Sequence, residues 1–203
     1  MKIICIGQNY LEHIRELNHQ IPECPVFFMK PETSLLLNNR PFFLPDFSEN
    51  IHYEVELIVK INKLGKHISK SFAPTYYDEI GLGIDFTARD LQQKAAQKGL
   101  PWEISKSFDS SAVVGKFLPK SDFKDLNQLD FKLFLNDRLV QHGNSSDMIF
   151  KIDEIISYIS QFVTLKIGDL IFTGTPVGVG KVTINDRLTG FLEDEKMFEF
   201  RIK

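Results

Sequence analysis

Hydrophobic and polar positions along this chain follow two periods. Tyr53–Val59 alternates every second residue, as a strand with one buried face requires. Ile152, Ile155, Ile156, Ile159 and Phe162 recur at helical spacing and predict a helix there. Lys2–Ile6 reads as a short buried strand, and Val26–Met29 and Ser34–Leu44 read as extended. Gly81–Phe86 is a further short strand, and Pro74–Ile80 predicts one or two helical turns. Phe131–Leu135 and Arg138–Gln141 predict a hairpin about Asn136-Asp137. After Gly168 the chain returns to strands, and the alternating Met197–Ile202 closes it.

Two more helices are marked by their ends. Asn9 predicts a cap on a helix running to about Asn18, with Glu12 completing a capping box, and Pro22 and Pro25 stop that segment. Thr87 predicts a cap on a second helix, with Asp90 in the capping-box place and Gly99 at its end. Strands outnumber helices and do not alternate with them regularly. That pattern argues for an α+β fold dominated by sheet. No repeat, low-complexity tract or flexible linker divides the chain, so residues 1–203 read as one domain.

Composition narrows the function. A net charge of −3 offers no basic excess to hold nucleic acid or an anionic membrane. No uninterrupted apolar run exceeds four residues, so no membrane span is expected, and Gln8 and Asn9 break the stretch a secretory signal would need. Two cysteines, Cys5 and Cys24, are too few for a disulfide scaffold or a thiolate zinc site and suit a reducing cytoplasm. Eighteen phenylalanines suggest a thick core between layers. A phosphate loop is not supported. In Thr173–Lys181, Thr175 stands where the first glycine belongs and Val182 where a hydroxyl should hold magnesium.

Strand alternation puts His52, Glu54 and Glu56 on one face, opposite Tyr53, Val55 and Leu57. The two carboxylates then lie about 6–7 Å apart at the backbone. So close a pair repels unless a proton or a cation lies between the two groups, and a hard divalent cation takes oxygen ligands. The pair alone fits a solvated strand face better. Asp85 tips the balance, because it ends a buried strand whose Gly81 and Gly83 allow close backbone approach. A buried acid is costly without a partner. Three acids from two strands suit one Mg²⁺ with positions left for water and substrate oxygens.

Taken in order, these residues resemble the fumarylacetoacetate hydrolase family, in its short acylpyruvase and oxaloacetate-decarboxylase-like branch. The resemblance rests on Gly7-Gln8-Asn9-Tyr10 with His13 and Glu16, on Phe28-Met29-Lys30-Pro31, and on Tyr53-Glu54-Val55-Glu56-Leu57. It continues through Asp85–Gln92, Lys106-Ser107-Phe108-Asp109, Gln141 with Met148-Ile149-Phe150, and Gly168–Gly180. It implies a mixed β-sheet roll with a few short helices, a homodimer, and Mg²⁺ or Mn²⁺ on Glu54, Glu56 and Asp85. It implies small oxo-acid substrates, Lys106 as the active-site lysine, and Lys30, Gln141 and Thr175 along the substrate pocket. Gln8 stands where the family usually has Arg, which removes a charge able to pair a distal substrate carboxylate.

His13 and Glu16 are three apart on a helix and share a face; by spacing alone they read as an ordinary surface pair, and the resemblance implies that the carboxylate orients the imidazole as a general base on water. Lys106 lies in an apolar-flanked stretch; a surface lysine is the commoner case there, and the resemblance implies a buried ammonium that needs an anion. His19, His52, His67 and His142 read as surface residues, and the two cysteines as packing residues. The expected activity is metal-dependent cleavage of a C–C bond in a small β-keto or acylpyruvate-type acid, by hydrolysis or decarboxylation. The alternatives are an isomerase or hydratase of 2-hydroxy-dienedioates and a non-catalytic ligand-binding member of the fold.

Overall fold

The computed structural model describes residues 1–17 and 20–203. Its strands are β1 (Ile3–Gly7), β2 (Val26–Lys30), β3 (Leu35–Leu36), β4 (Ile51–Tyr53), β5 (Val55–Ile61), β6 (Tyr77–Asp85) and β7 (Thr87–Ala88). They continue as β8 (Ala112–Pro119), β9 (Asp130–Leu135), β10 (Arg138–Asn144), β11 (Leu170–Phe172), β12 (Gly180–Lys181), β13 (Arg187–Leu192) and β14 (Glu195–Arg201). The α-helices are α1 (Leu11–Glu16), α2 (Arg89–Lys98), α3 (Glu103–Lys106) and α4 (Ile152–Phe162).

The large sheet has the order β2-β1-β11-β5-β6-β8-β3, with β1 parallel to β11, β3 parallel to β8 and the other neighbours antiparallel. A second sheet, β10-β9-β13-β14, packs its apolar face toward the first. A small sheet, β12-β4-β7, joins them. The fold is thus the expected mixed-sheet α+β roll with a few short helices. Phenylalanine fills the gap between layers: Phe42 stacks on Phe86 at 4.0 Å, and Phe86 meets Phe200 edge-on. Burial of such rings is the main favourable term in a core of this kind. Among the described residues, no helix is long and apolar enough to cross a membrane.

Several local expectations are corrected. The strand foreseen over Tyr53–Val59 breaks at Glu54, where the chain passes from the small sheet into the large one. Asn9 does not cap α1, whose first flanking residue is Tyr10. Its amide instead donates to the carbonyls of Phe150 and Thr173, and its side-chain oxygen accepts from Phe150 N–H. Thr87 lies in β7 rather than capping α2, and Asp90 accepts from Ser48 Oγ and Leu91 N–H. Ser34–Leu44 is not one extended run, because Asn38 and Asn39 turn with positive φ after β3. Past Tyr76 the helical turn of Pro74–Ile80 gives way to β6. The expected end of the first helix at Asn18, and His19, lie outside the described residues. Gly99 does end α2, in the left-handed conformation that glycine takes without strain.

Candidate metal and oxo-acid site

Two strand breaks build the site. Glu54 sits between β4 and β5, and Phe86 separates β6 from β7, so Glu54 and Asp85 both stand where the chain leaves one sheet for another. The breaks are tied together, because Asp85 N–H donates to the Glu54 carbonyl at 2.8 Å. The Val55 N–H donates to Gln141 Oε1 at 2.9 Å, which satisfies a backbone group at the break. Glu56, one residue into β5, pairs with Gly83 of β6. A Cβ at Gly83 would fall 2.1 Å from the Val113 carbonyl oxygen, so only glycine lets β6 and β8 close here.

Glu54, Glu56 and Asp85 are 4%, 2% and 1% exposed, so the solvated strand face is excluded. One oxygen from each lies within 4.8 Å of the others, a grouping that could hold a metal ion. Burial and the facing carboxylates of Asp85 and Glu54 push Glu56 well above the ordinary carboxylate range. Burial also disfavours the Glu54 anion, but Lys106 and Arg89 overcome it and hold its carboxyl below the usual range. Asp85 Oδ1 is buried without a hydrogen bond. Crowded, dry carboxylates with an unsatisfied oxygen fit a hard divalent cation.

The cations around the acids come from two places. Lys106, at the end of α3, donates to Glu54 Oε2 at 2.6 Å and to Asp85 Oδ2 at 2.8 Å. Burial lowers its pKa, but Asp85 and Glu54 outweigh that and hold the ammonium charged. Arg89, opening α2, donates to Glu54 Oε1 and to Gln92 Oε1. Across the cavity, His13 Nδ1 lies 2.9 Å from Glu16 Oε2, and Glu16 Oε1 accepts from Gly178 N–H at 3.1 Å. Gly174 N–H donates to Glu56 Oε2 at 2.7 Å. Gly174 has φ 101° and a Cβ there would meet Asn9 Cβ at 2.8 Å, so this loop reaches the acid only with glycine.

The cavity encloses about 410 Å³ of empty space including its open mouth, but room for water of only about 40 Å³. It brings together Glu54, Glu56, Asp85, Lys106, His13, Gln8 and Thr175 among the residues singled out from sequence. Lys30 and Gln141 do not line it. Lys30 Nζ is wholly buried behind Asp85, donating to Ser111 Oγ at 2.8 Å and to the Lys106 carbonyl. Gln141 Nε2 donates to Thr175 Oγ1 and the Pro176 carbonyl, both at 2.9 Å, and so positions Thr175 rather than substrate. Their expected place on the substrate wall is corrected on this geometry. His52, expected at the surface, is half-buried. Burial first, and Arg89 next, depress its pKa to about 4.

The cavity also contains residues that sequence reasoning left without a role. Arg89 and Gln92 belong to the Asp85–Gln92 motif, where their charge and amide were a signal. Phe28, Trp102 and Leu17 form an apolar part of the wall, and only the place of Phe28 in the Phe28–Pro31 motif and the uniqueness of Trp102 in the chain pointed there.

The fumarylacetoacetate (FAA) hydrolase C-terminal family model matches residues 2–203. A mouse protein named oxaloacetate tautomerase FAHD1, mitochondrial, is 41% identical over 201 residues, covering 99% of this chain and 91% of that protein. The oxaloacetate decarboxylase, mitochondrial, of Dictyostelium discoideum is 43% identical over 182 residues, covering 89% and 84%. The crystal structure of fumarylpyruvate hydrolase from Pseudomonas aeruginosa in complex with Mn²⁺ and pyruvate superposes with a TM-score of 0.94 at 33% identity, covering 100% of this chain and 89% of that one.

Proposed function

The chain belongs to the fumarylacetoacetate hydrolase family, and from that premise we propose that it is a divalent-cation-dependent enzyme cleaving a C–C bond in a small oxo acid of the oxaloacetate or acylpyruvate kind. The observation that carries this reading is the position of Lys106 Nζ, 2.6 Å from Glu54 and 2.8 Å from Asp85, in the wall of a cavity that also contains His13. Both reactions release the same fragment, the enolate of pyruvate. A fixed ammonium beside the place where that charge develops stabilises it without reorganising solvent.

Glu54, Glu56 and Asp85 would hold Mg²⁺ or Mn²⁺, which as a Lewis acid polarises the substrate's oxo group. The remaining work falls to the chain's own groups. With Nδ1–H of His13 donating a hydrogen bond to Glu16 Oε2, Nε2 is left as the basic nitrogen. In acylpyruvate cleavage, His13 takes a proton from water as the oxygen attacks the acyl carbonyl. The bond between that carbonyl and the methylene then breaks, giving a carboxylic acid and the enolate. In oxaloacetate decarboxylation the distal carboxylate leaves as CO₂, with no attacking water. In both, the enolate carbon then takes one proton to give pyruvate. Thr175, held by Gln141, offers a hydroxyl to the substrate.

A second reading, keto–enol interconversion of the same acid, is favoured by the tautomerase names of several relatives and needs only the proton-transfer steps. Free Cys5 and Cys24 suit a reducing compartment such as the cytoplasm, and a homodimer is the proposed working form.

Purified protein with Mg²⁺ or Mn²⁺ is tested against oxaloacetate, acetylpyruvate and a 2-hydroxy-dienedioate, with metal alone as the control. Pyruvate formation above that control supports cleavage. Loss of enol absorbance without pyruvate supports the second reading, and turnover of the dienedioate alone overturns both.

A further inference from the structure

The cavity lining contains two chemically different sets of residues. One carries the acids, Lys106, Arg89 and His13. The other presents carbon from Phe28, Trp102, Leu17 and Ile6. Trp102 is the only tryptophan in the chain. Its indole is set by the same turn that presents Lys106, because the Trp102 carbonyl accepts Ser105 N–H and Lys106 N–H, both at 2.9 Å. The ring packs edge-on against Phe28, with centroids 5.8 Å apart at 67°. It also lies over Gly7, where a Cβ would stand 3.5 Å from the indole. Lys106 Nζ stands 5.2 Å from the centroid of the Phe28 ring. The aromatic wall therefore begins beside the charged groups, one side chain away from where an oxo acid's polar end would be held.

We propose that Trp102, with Phe28 and Leu17, forms the subsite for the acyl end of the substrate and selects 2,4-dioxo acids with an apolar alkyl or aryl acyl group. This rests on the function proposed above and names its substrate class. An apolar tail that leaves water for this wall gains about fourfold in affinity per methylene. A charged tail would lose hydration against the indole, and the cations nearest that wall are already paired with the acids. Arg89 and Lys106 are turned to Glu54, Gln92 and Asp85. Trp102 is thus a specificity residue, separate from the groups that move protons or hold charge.

The test needs no turnover. With Mg²⁺ present, the wild-type protein is titrated by calorimetry and by emission of its single tryptophan, using pyruvate and 2-oxohexanoate. The longer acid cannot be hydrolysed, because it lacks the second oxo group. It should bind at least tenfold more tightly than pyruvate and shift the emission to the blue. In Trp102→Ala, calorimetry should find that advantage reduced to within about threefold, and Trp102→Phe should retain most of it. A parallel series of acylpyruvates with lengthening acyl groups should show kcat/KM rising with length in the wild type and flat in Trp102→Ala, the change residing in KM. Equal binding of the two acids, an unchanged emission at saturation, or an undiminished length dependence in Trp102→Ala overturns the subsite. Failure to turn over any acylpyruvate would instead count against the proposed reaction, since the binding arm stands without it.

Discussion

Lys30 Nζ stands 2.8 Å from Asp85 Oδ1, yet that oxygen receives no hydrogen bond. The donors of Lys30 go to Ser111 Oγ and to the carbonyls of Phe86, Lys106 and Ser111. The ammonium therefore neutralises Asp85 from behind while leaving a lone pair of Oδ1 for a cation in front. It also pins the end of α3, which carries Lys106. Removing one partner of a buried pair costs about 3–5 kcal/mol. Lys30→Met should accordingly lower the melting temperature by on the order of 10 °C. A melting temperature equal to wild type, together with a raised KM, would make Lys30 a substrate ligand instead.

Metal binding should need all three acids. Each supplies an oxygen to one cluster, and Glu56 is held up first by burial and then by the repulsion of the other two. A cation in their midst would relieve that repulsion. Mg²⁺ or Mn²⁺ should raise the melting temperature of the wild type by mass action. Calorimetric titration of Glu54→Gln, Glu56→Gln and Asp85→Asn should show affinity lost in each. Wild-type affinity in any one removes that residue from the set of ligands.

Residue type and order made the chemistry of the cleft legible, while long-range contacts shaped what the sequence left unread. Glu54, Glu56 and Asp85 could be found because alternation pairs two acids on one face and a glycine-rich buried strand ends on a third. The break at Glu54 could not be found. The alternating pattern runs straight through Tyr53-Glu54-Val55, and the freed Val55 N–H is satisfied by Gln141, 86 residues away. Asn9 was misread for a related reason. A side-chain amide ahead of a helix is an N-cap by local rules, but here it brackets Phe150 and Thr173 across the fold. Lys30 and Gln141 lie in recognisable motifs, yet a motif does not distinguish a ligand of the substrate from a support one layer behind it. Trp102 belonged to no motif, and only its contact with Phe28 beside Lys106 gives it a role.

Gln8 lines the cavity with φ 57° and carries no charge that would pair a second carboxylate. Gln8→Arg should shift the ratio of kcat/KM toward dicarboxylates such as oxaloacetate and away from acetylpyruvate. A charge-assisted contact contributes about 1.5–3 kcal/mol at most, so the shift should not exceed about a hundredfold. If the ratio does not move, Gln8 does not set selectivity.

Helix α1 should act as a lid over the acids. It is only six residues long, and a helix so short has little stability of its own. It is held down by few contacts: His13 and Ile14 are buried, and Glu16 reaches Gly178 N–H at 3.1 Å. α1 contributes His13 to the lining of this cavity, where room for water is only about 40 Å³, a few water molecules, and an outward movement of the helix would widen the way in for an oxo acid. Closure brings the His13–Glu16 pair over the bound acid and excludes bulk water. Amide exchange over residues 11–17 should therefore slow when oxalate and Mg²⁺ are added together, and equal protection with and without them would sink the lid. The pair itself is tested by substitution. His13→Ala should lower acylpyruvate hydrolysis by about 10²–10⁴-fold, while calorimetry finds Mg²⁺ affinity near wild type. Glu16→Gln should cost less, because the base remains and only its orientation and basicity suffer. Oxaloacetate decarboxylation should fall less than hydrolysis in both variants, since it requires no activated water. Wild-type hydrolysis by His13→Ala would show that another group activates the water.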